Sequence, residues 1–390
     1  MKREAVIVDA VRTPVGKRGG QLSQWHPVDL LAQTLSTLAE RTGIDQNRLA
    51  DVIVGCGIQS GEQAGNVARN AILGAGFPIG LPGTTLDRQC GSGQQAVHFA
   101  AQGIKSGEYD FAIGAGVESM SRVDLGPLFI PGGPQGQWYG KRSLARFGGT
   151  IPAQGPSAEL IVSKWGFTRE QLDEFSIRSH RRAAAATEAG YFTSQLVPVD
   201  GTSKDGTVAA MTRDEGIRAV LDPAKMAALA PVFSPDGVIT AANSSQMSDG
   251  AAALLIAERS QAESAGLRPR ARIVSMAVAA DDPVLQFTAV LPATQRALDQ
   301  AGLSIGEIDL VEVNEAFAPV PLLWAAEYGY PQDQLNVNGG SIAIGHPLGS
   351  TGARLLAQLL NELERREGRY GLLTICEGGG MANCTIIERI

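Results

Sequence analysis

LAERTGIDQNRLADVIVG, residues 38–55, contains a helical segment that ends at a glycine, then a polar turn and an apolar, β-branched run suited to a buried strand. Residues 298–313, LDQAGLSIGEIDLVEV, repeat this order nearly element for element. An internal repeat of a whole helix–turn–strand unit indicates a duplicated structure. We therefore predict two related halves within this chain of 390 residues.

The repeat continues on both sides of these stretches. Residues 3–14 and 270–281 each place a basic residue before a run suited to a buried strand. The segments after CGSG and HPLGSTG carry apolar residues at i, i+3, i+4 and i+7, namely Val97, Ala100, Ala101 and Ile104, and Leu356, Leu359, Leu360 and Leu363. This alternation of strand and helix predicts an α/β fold of two parallel-rich units packed pseudosymmetrically.

The pattern breaks between the two halves. LGPLFIPGGPQGQWYG, residues 125–140, is typical of a Gly/Pro-rich loop, and a helix is predicted to begin at Thr168. We predict three parts: an N-terminal half (1–118), an inserted, largely helical loop domain with the return to the core (119–260), and a C-terminal half (261–390). The insertion is equally compatible with a ligand-holding lid and with a structural extension.

Composition excludes several classes of function. The chain carries 33 basic and 40 acidic residues, a net charge of −7, so it has no basic excess for nucleic acid or an anionic membrane surface. No stretch approaches the length of about 20 apolar residues that crosses a bilayer, and we expect a cytoplasmic protein. The four cysteines are dispersed and form no C-x-x-C pair, which predicts neither a disulfide framework nor a metal site.

Cys90 lies in DRQCGSGQQA, residues 87–96, at a predicted strand-to-helix junction. Free N–H groups and the helix dipole there are expected to lower a thiol pKa and favour a nucleophilic thiolate. An unreactive buried thiol is one alternative. A dinucleotide loop is another, since the G-x-G-x-x-A spacing begins at residue 91 and Asp110 follows as a candidate ribose-binding acid. The charged residues of TTLDRQ, where that fold needs an apolar strand, disfavour this alternative.

His346 lies in NVNGGSIAIGHPLGSTGAR, residues 336–354, and takes in the second half the place that Cys90 takes in the first. In a pseudosymmetric pair the two helix starts can meet near the axis, which would bring a thiol and an imidazole into hydrogen-bond reach. A loop histidine that only caps a helix is the alternative.

Two further segments carry candidate functional groups. In CEGGGMA, Cys376 ends a predicted buried strand, and the following glycines allow backbone N–H groups to converge on a developing oxyanion. In VNEAFA, Asn314 and Glu315 end the strand that corresponds to the one before Cys56. Polar side chains at the carboxyl ends of α/β strands commonly line a site, although a satisfied buried amide is the alternative.

These motifs, in this order, resemble the thiolase family of acetyl-CoA C-acyltransferases. The resemblance runs from VDAVRTPVGK through QCGSGQQA, SSQMSDGAAA, VNEAFA and NGGSIAIGHPLGSTGAR to CEGGGMA. It implies a five-layered αβαβα fold with a loop domain and assembly as a homodimer or homotetramer. It also implies coenzyme A as a substrate, with no bound cofactor or metal, in fatty acid or steroid β-oxidation.

The resemblance also assigns roles. It makes Cys90 the acyl-accepting nucleophile, His346 the residue that activates it, and Cys376 the acid/base at the α-carbon of acetyl-CoA. Asn314 would hold a water of one oxyanion hole, and the N–H groups of Cys90 and Gly378 would form the other. Both holes are required because the enolate and the tetrahedral intermediate each place negative charge on an oxygen.

Substrate contacts follow from the same resemblance. Ser245 in AANSSQMSDG and Arg218 in DEGIRAV match positions that contact coenzyme A, although a solvated surface arginine is an equal alternative. AQGPSAE places Gln154 where short-chain members carry HMG, and QFTAVLPA places Gln286 at a methionine of the acyl pocket. These departures favour longer or bulkier acyl chains, including steroid side chains.

The expected activity is thiolytic release of acetyl-CoA from a 3-ketoacyl-CoA through an acyl-cysteine, with the reverse Claisen condensation also open. The alternatives are a biosynthetic, acetoacetyl-CoA-forming thiolase, a condensing enzyme of the ketoacyl-synthase type, and a non-catalytic CoA-binding protein. The ketoacyl-synthase type pairs its cysteine with two histidines, and this chain has no second histidine in a glycine-rich segment.

Overall fold

The computed structural model describes residues 3–125 and 138–390, so most of the predicted Gly/Pro-rich loop lies outside the described residues. The strands are β1 (Ala5–Arg12), β2 (Gly16–Lys17), β3 (Asp51–Gly55), β4 (Gly83–Leu86), β5 (Phe111–Ser119), β6 (Val199–Thr202), β7 (Val208–Met211), β8 (Ser248–Glu258), β9 (Ala271–Ala280), β10 (Leu310–Val313), β11 (Tyr370–Glu377) and β12 (Met381–Arg389). The helices are α1 (Pro27–Thr42), α2 (Val67–Gly74), α3 (Ser92–Ser106), α4 (Lys141–Arg146), α5 (Gln154–Trp165), α6 (Arg169–Glu188), α7 (Pro223–Ala227), α8 (Arg259–Ser264), α9 (Val290–Ala301), α10 (Pro319–Tyr328) and α11 (Leu348–Arg365).

The main sheet has the strand order β4-β3-β5-β8-β1-β9-β12-β11-β10, and β2 pairs with β8. A short antiparallel contact between β1 and β9 joins the two halves, with Val6 opposite Arg272 and Ile7 opposite Ala271. Apolar cores fill both faces of each half-sheet. Helices α1 and α2 cover one outer face, α9 and α10 cover the other, and α3 and α11 lie between the half-sheets. The chain therefore has the five-layered, duplicated αβαβα fold that the sequence predicts.

The two halves match strand by strand. In the first, β3 runs parallel to β5, and β5 runs antiparallel to β8. In the second, β10 runs parallel to β11, and β11 runs antiparallel to β12. Leu335 forms a parallel bridge to Val311 where the first half has the β3–β4 pair. The predicted repeat is confirmed in the order and direction of the strands.

The prediction of parallel-rich units is wrong. Antiparallel pairs join β1 to β8, β5 to β8, β11 to β12, β12 to β9 and β1 to β9. The reason is that each half ends with a return strand, β8 or β12, inserted between two strands that run the other way. Sequence periodicity predicts buried strands but does not reveal the direction in which a returning strand pairs.

Helices α3 and α11 touch at their first turns because glycines face each other there. A Cβ on Gly93 would lie 2.5 Å from the carbonyl oxygen of Gly349, and a Cβ on Gly352 would overlap the backbone nitrogen of Gln94. The apolar positions predicted on these two helices are all buried. The contact sets the starts of the two central helices side by side.

The inserted segment contains α4 to α7 and the β6–β7 hairpin before the chain returns through β8. Thr168 caps α6 in a capping box with Gln171, as predicted for the start of this helix. A buried ion pair of 2.6 Å between Arg12 on β1 and Asp214 attaches the segment to the core. No helix in the described ranges is long and apolar enough to cross a membrane.

Candidate active site

Cys90 lies in a tight turn, two residues before the first residue of α3. The preceding residue, Gln89, has a φ of +50°, a strained value for a residue with a side chain. The Asp87 carboxylate stabilises this conformation by accepting the Gln89 backbone N–H at 2.6 Å. The Cys90 side chain is buried, with 4% of the residue exposed. The turn therefore fixes the thiol at the edge of the central layer.

His346 lies two residues before the first residue of α11, the position that Cys90 has relative to α3. Its Nδ1 is 2.8 Å from the Thr351 hydroxyl, whose own proton is donated to the carbonyl oxygen of Pro347 at 2.9 Å. The hydroxyl therefore accepts from Nδ1–H, and this assignment leaves Nε2 without a proton. His346 thus has a nitrogen free to accept a proton.

Asn314 follows β10 and lies 3.4 Å, Nδ2 to Nε2, from His346. Its Oδ1 accepts from the Ser341 hydroxyl at 2.6 Å, and that hydroxyl accepts from buried Arg354 at 3.2 Å. The chain of contacts orients the Asn314 amide group with its nitrogen toward the imidazole. The neighbouring Glu315 accepts from a hydroxyl, an amide and a backbone N–H, so it holds the loop before His346 in place.

Cys376 is the second-last residue of β11, close to the turn of residues 378–380 that leads into β12. Gly379 and Gly380 have φ values of +84° and +77°, which glycine adopts without strain. Within the described residues, the backbone N–H groups of Cys90 and Gly378 donate to no backbone carbonyl oxygen, and that of Cys90 lies beside its own sulfur. The loop regions thus present two N–H donors that no backbone carbonyl oxygen occupies.

The three loops lie together at one end of the paired helices. A Cβ on Gly57 would be 3.3 Å from Cβ of Leu348 and 3.6 Å from the carbonyl oxygen of Gln89, so the loops that bear His346 and Cys90 are neighbours. Cys376 lies close enough to Cys90 for the two charges to interact. No hydrogen bond between Cys90 and His346 is found in the described part of the chain, a common situation in substrate-free sites.

Burial dominates the electrostatics of these groups. It raises the pKa of Cys90 to about 12, with a further rise from Glu377, and it raises the pKa of Cys376 well above its usual range. It lowers the pKa of His346 to about 3, with Arg354 adding to the effect. The expectation of a lowered thiol pKa at Cys90 is therefore wrong, because desolvation outweighs the helix dipole. The resting site holds neutral thiols and a neutral imidazole.

The residues expected to bind coenzyme A lie near the loop that bears His346. Ser245 is half-buried, and its neighbour Gln246 accepts the His346 backbone N–H at 3.0 Å and donates to the carbonyl oxygen of Gly216 at 3.1 Å. Arg218, two residues after Gly216, is exposed, and its guanidinium makes no ion pair within the described ranges. Both residues are therefore on the side of the insertion that faces the His346 loop.

Gln286 is buried and makes several hydrogen bonds. Its Nε2 donates to the carbonyl oxygen of Pro152 at 2.6 Å and to the Ser157 hydroxyl at 3.2 Å, while Oε1 accepts from Gly379 N–H at 3.3 Å. Its carboxamide connects the start of α5 to the glycine turn. A direct contact with an acyl chain stays a prediction.

The structure adds contacts that the sequence reasoning did not predict. Gln154, the first residue of α5, has its amide beside the Cys90 sulfur, and its Nε2 is buried without a partner in the described ranges. Thr351 and Ser341 lie inside a motif that was recognised, but nothing marks a hydroxyl as a histidine partner before the loop is folded. Glu377 is buried beside both thiols.

A cleft of about 630 Å³ opens next to these loops. Its lining includes Gln89, Leu348 and Gly378, each of which lies within two residues of one of the three candidate groups. Among the described residues, no cluster of three or more His, Cys, Asp or Glu side chains could hold a metal ion. The site consists of two thiols, an imidazole, an amide and backbone donors around an access cleft, which suits acyl transfer through a thioester.

Comparisons with known proteins agree with this arrangement. Family models for the thiolase N-terminal and C-terminal domains match residues 5–260 and 267–389. A steroid 3-ketoacyl-CoA thiolase of Mycobacterium tuberculosis is 47% identical, over 99% of this chain and 94% of its own length. A 3-oxoadipyl-CoA/3-oxo-5,6-dehydrosuberyl-CoA thiolase of Escherichia coli is 43% identical over the full length of both chains.

Two acetyl-CoA acetyltransferases are similar as well. The one from Chromobacterium violaceum is 40% identical, over 99% of this chain and all of its own length. The crystal structure of the one from Bacillus anthracis superposes with a TM-score of 0.90 at 36% identity, covering 100% of this chain and 99% of the other. Both family models and the full-length identities place this chain in the thiolase family, and it is an acyltransferase of that family.

Proposed function

We propose that this thiolase cleaves a 3-ketoacyl-CoA with coenzyme A, releasing acetyl-CoA and a shortened acyl-CoA through an acyl group on Cys90. One observation supports the proposal: residues within two positions of Cys90, His346 and Cys376, which come from two loops and the end of β11, line one cleft, Gly378 among them. A scaffold that only binds coenzyme A would not require this set of groups.

In the first step, the Cys90 sulfur attacks the C3 carbonyl carbon as its proton moves to Nε2 of His346. Both groups are neutral at rest, so the proton moves during the attack rather than before it. The C2–C3 bond then breaks, and its electron pair leaves as the enolate of acetyl-CoA. The Cys376 thiol protonates this enolate at C2, and acetyl-CoA departs.

In the second step, coenzyme A attacks the acyl group on Cys90. The thiol of coenzyme A gives its proton to the Cys376 thiolate, and the bond between the acyl carbon and the Cys90 sulfur breaks. His346 returns its proton to Cys90, and Cys376 regains the one it gave. The same site can run the steps in reverse, so the direction depends on substrate concentrations and not on the residues.

Two sets of donors suit the two negative oxygens of this reaction. The N–H groups of Cys90 and Gly378 donate to no backbone carbonyl oxygen in the described ranges and are available to one oxygen. Nδ2 of Asn314, held by Ser341, is available to a water beside His346 for the other. Preorganised donors of this kind typically contribute about 3–4 kcal/mol each to transition-state stabilisation.

The substrate class is inferred from the residues expected to line the acyl pocket. Gln154 and Gln286 take the places where short-chain members carry HMG and a methionine, so the site differs from that of acetoacetyl-specific enzymes. Relatives named for steroid and 3-oxoadipyl substrates support a degradative role with bulkier or longer acyl chains. The acetyl-CoA acetyltransferase relatives make the acetoacetyl-CoA-forming reaction the second candidate.

The test is a thiolysis assay with a series of 3-ketoacyl-CoA substrates of increasing chain size, following loss of the enolate absorbance. Mass spectrometry should find the acyl group on the peptide that contains Cys90. Retained turnover in Cys90→Ala would refute the mechanism. Turnover with acetoacetyl-CoA alone would refute the substrate class and favour the biosynthetic reaction.

Two properties stay predictions. We expect a homodimer or homotetramer, which light scattering of the purified protein tests directly. A cytoplasmic location is expected from the sequence, and fractionation of cells that express the protein checks it.

A further inference from the structure

Glu377 is a buried carboxyl group between the two thiols. It follows Cys376 in the chain and is fully buried at the end of β11. A Cβ on Gly91 would overlap its Oε1, so the carboxyl lies directly against the residue that follows Cys90. The glycine at position 91 leaves room for the carboxyl in this position. Glu377 is therefore a close neighbour of both reactive sulfurs.

The carboxyl group has few hydrogen-bond partners. The Asn383 carboxamide, in the orientation that satisfies both its ends, donates to Oε1 at 3.1 Å and accepts from Gln95 N–H at 3.3 Å. Oε2 is buried and has no partner within residues 3–125 and 138–390. Burial raises the pKa of Glu377 well above its usual range, an effect that Arg88 opposes and Asp87 reinforces. A full negative charge on this group is poorly compensated.

The ionisable groups that act on one another around Cys90 come from two parts of the structure. They are Asp87 and Arg88 in the preceding loop, and Cys376 and Glu377 at the end of β11. After burial, Glu377 makes the largest contribution to the rise in the pKa of Cys90, and it also raises the pKa of Cys376. Groups that interact so closely lose protons as a unit, and a second negative charge in the same dry site is disfavoured.

We propose that Glu377 shares a single negative charge with Cys90 and Cys376, and that this sharing keeps both thiols protonated in the substrate-free enzyme. The inference rests on the proposed function, which makes these thiols the reactive groups. Glu377 contacts no reacting atom and is a positioning residue that acts through the sulfurs. The physical consequence of this charge sharing is that the resting enzyme resists alkylation and oxidation at Cys90, because the thiolate is the reactive form.

The test compares wild type with Glu377→Gln, which keeps the shape of the side chain and removes its charge. Without substrate, the rate of Cys90 alkylation by iodoacetamide is measured from about pH 6 to about pH 10 by peptide mass spectrometry. Well below the thiol pKa the thiolate fraction changes tenfold per pH unit, so lowering the pKa of Cys90 by about one unit should make alkylation of Glu377→Gln roughly tenfold faster than that of wild type at about pH 9 to 10. Glu377→Met, a second neutral replacement, should give the same shift.

Glu312→Gln is the matched control. Glu312 is also a buried carboxyl of the second half-sheet with an unpartnered Oε2, but its neighbours are Gln358, Glu315 and Arg354 rather than the cysteines. Its alkylation profile should follow wild type.

The outcomes separate this inference from the proposed function. A purely structural role of Glu377 would change the melting temperature or turnover and leave the alkylation profile in place, and an unshifted profile in either neutral variant overturns the proposal. If Glu312→Gln shifts the alkylation profile as much as Glu377→Gln does, the proposal is overturned as well. Alkylation needs no substrate, so failure of the thiolysis assay in wild type would count against the proposed function and not against charge sharing.

Discussion

At the scale of single residues, the proton on His346 is the detail on which the proposed chemistry depends most. Thr351 accepts from Nδ1–H because its own hydroxyl proton is already donated to the carbonyl oxygen of Pro347. This leaves Nε2 as the basic nitrogen and turns it toward Asn314. A hydroxyl five residues along the same chain thus selects the tautomer that can accept the proton of Cys90.

Thr351→Val tests this assignment. Valine keeps the branched shape and removes the acceptor, so Nδ1–H loses its partner and the imidazole can change tautomer. We expect kcat/KM for thiolysis to fall by about 10- to 100-fold, as for comparable partners of functional histidines. Thr351→Ser keeps the hydroxyl and should retain most of the activity. Equal activity in the valine and serine variants would contradict the assigned role.

Cys376→Ser tests the division of labour between the thiols. Cys90 should still accept an acyl group, because its attack uses His346 and not Cys376. Exchange of the α-hydrogens of acetyl-CoA in D2O should be lost, since a serine hydroxyl is a far weaker acid than a thiol. Mass spectrometry and NMR measure the two steps separately. Loss of the Cys90 adduct in a folded variant would show that the two roles are not separable.

At the scale of elements, the duplication creates two equivalent positions that carry different chemistry. Ala50 and Asp309, which directly precede equivalent strands, donate their N–H groups to the carbonyl oxygens of Phe111 and Tyr370. Counting from these contacts places Glu118 on β5 where Glu377 lies on β11. Glu118 accepts the backbone N–H groups of Gly57, at 2.8 Å, and Gly349, also at 2.8 Å. The first half therefore uses this carboxylate to join its own loop to the start of α11, while in the second half the equivalent carboxyl of Glu377 lies against Gly91, the residue after Cys90. One active site results from two similar halves.

Gly349→Ala tests the contact between these elements. A Cβ at this position would lie 2.6 Å from the carbonyl oxygen of Gly55 and 2.7 Å from Cα of Cys56, and backbone atoms cannot move aside cheaply. We expect a loss of about 1–3 kcal/mol in the free energy of unfolding, measured with denaturant, and a marked loss of turnover as the start of α11 shifts. Gly306→Ala is the control because no atom lies within 4 Å of the added Cβ. Similar stability of the two variants would contradict the tight approach.

At the scale of the whole molecule, most of the fold could be predicted from the internal repeat. It predicted the two halves, the buried faces of α3 and α11 and the equivalence of Cys90 with His346, because apolar periodicity follows directly from burial. It missed the antiparallel return strands, since alternation does not show direction. It also missed the raised pKa of Cys90, the Thr351 contact and the burial of Glu377, because these depend on residues that become neighbours only through tertiary packing.

Buried histidines give the whole molecule a predictable acid sensitivity. Burial lowers the pKa of His98 and of His346 to about 3 and that of His180 to about 4. Between the ordinary histidine pKa of about 6.5 and these values, the unfolded chain binds more protons than the folded one, so stability falls as pH decreases. Buried carboxyls with raised pKa, such as Glu312 at about 8, act in the opposite direction above about pH 4.5.

Below about pH 4.5 the carboxyls with raised pKa are protonated in both states, so the remaining acid sensitivity comes from the buried histidines and from carboxyls with lowered pKa such as Glu362 and Glu388. We expect the free energy of unfolding to fall steeply from about pH 4.5 to about pH 3, with each of the three histidines contributing up to about 1.4 kcal/mol per pH unit.

His98→Gln tests this expectation because it removes a buried histidine that lies away from the loops of the active site. The glutamine amide can replace the 2.7 Å contact with Thr385. Denaturant unfolding at several pH values should show that the free energy of unfolding changes less steeply with pH in this variant than in wild type. His26, whose side chain is 39% exposed, provides the control, because His26→Gln removes a histidine without removing a buried one. An equal slope in His98→Gln and His26→Gln would mean that the acid sensitivity arises from groups other than the buried imidazoles.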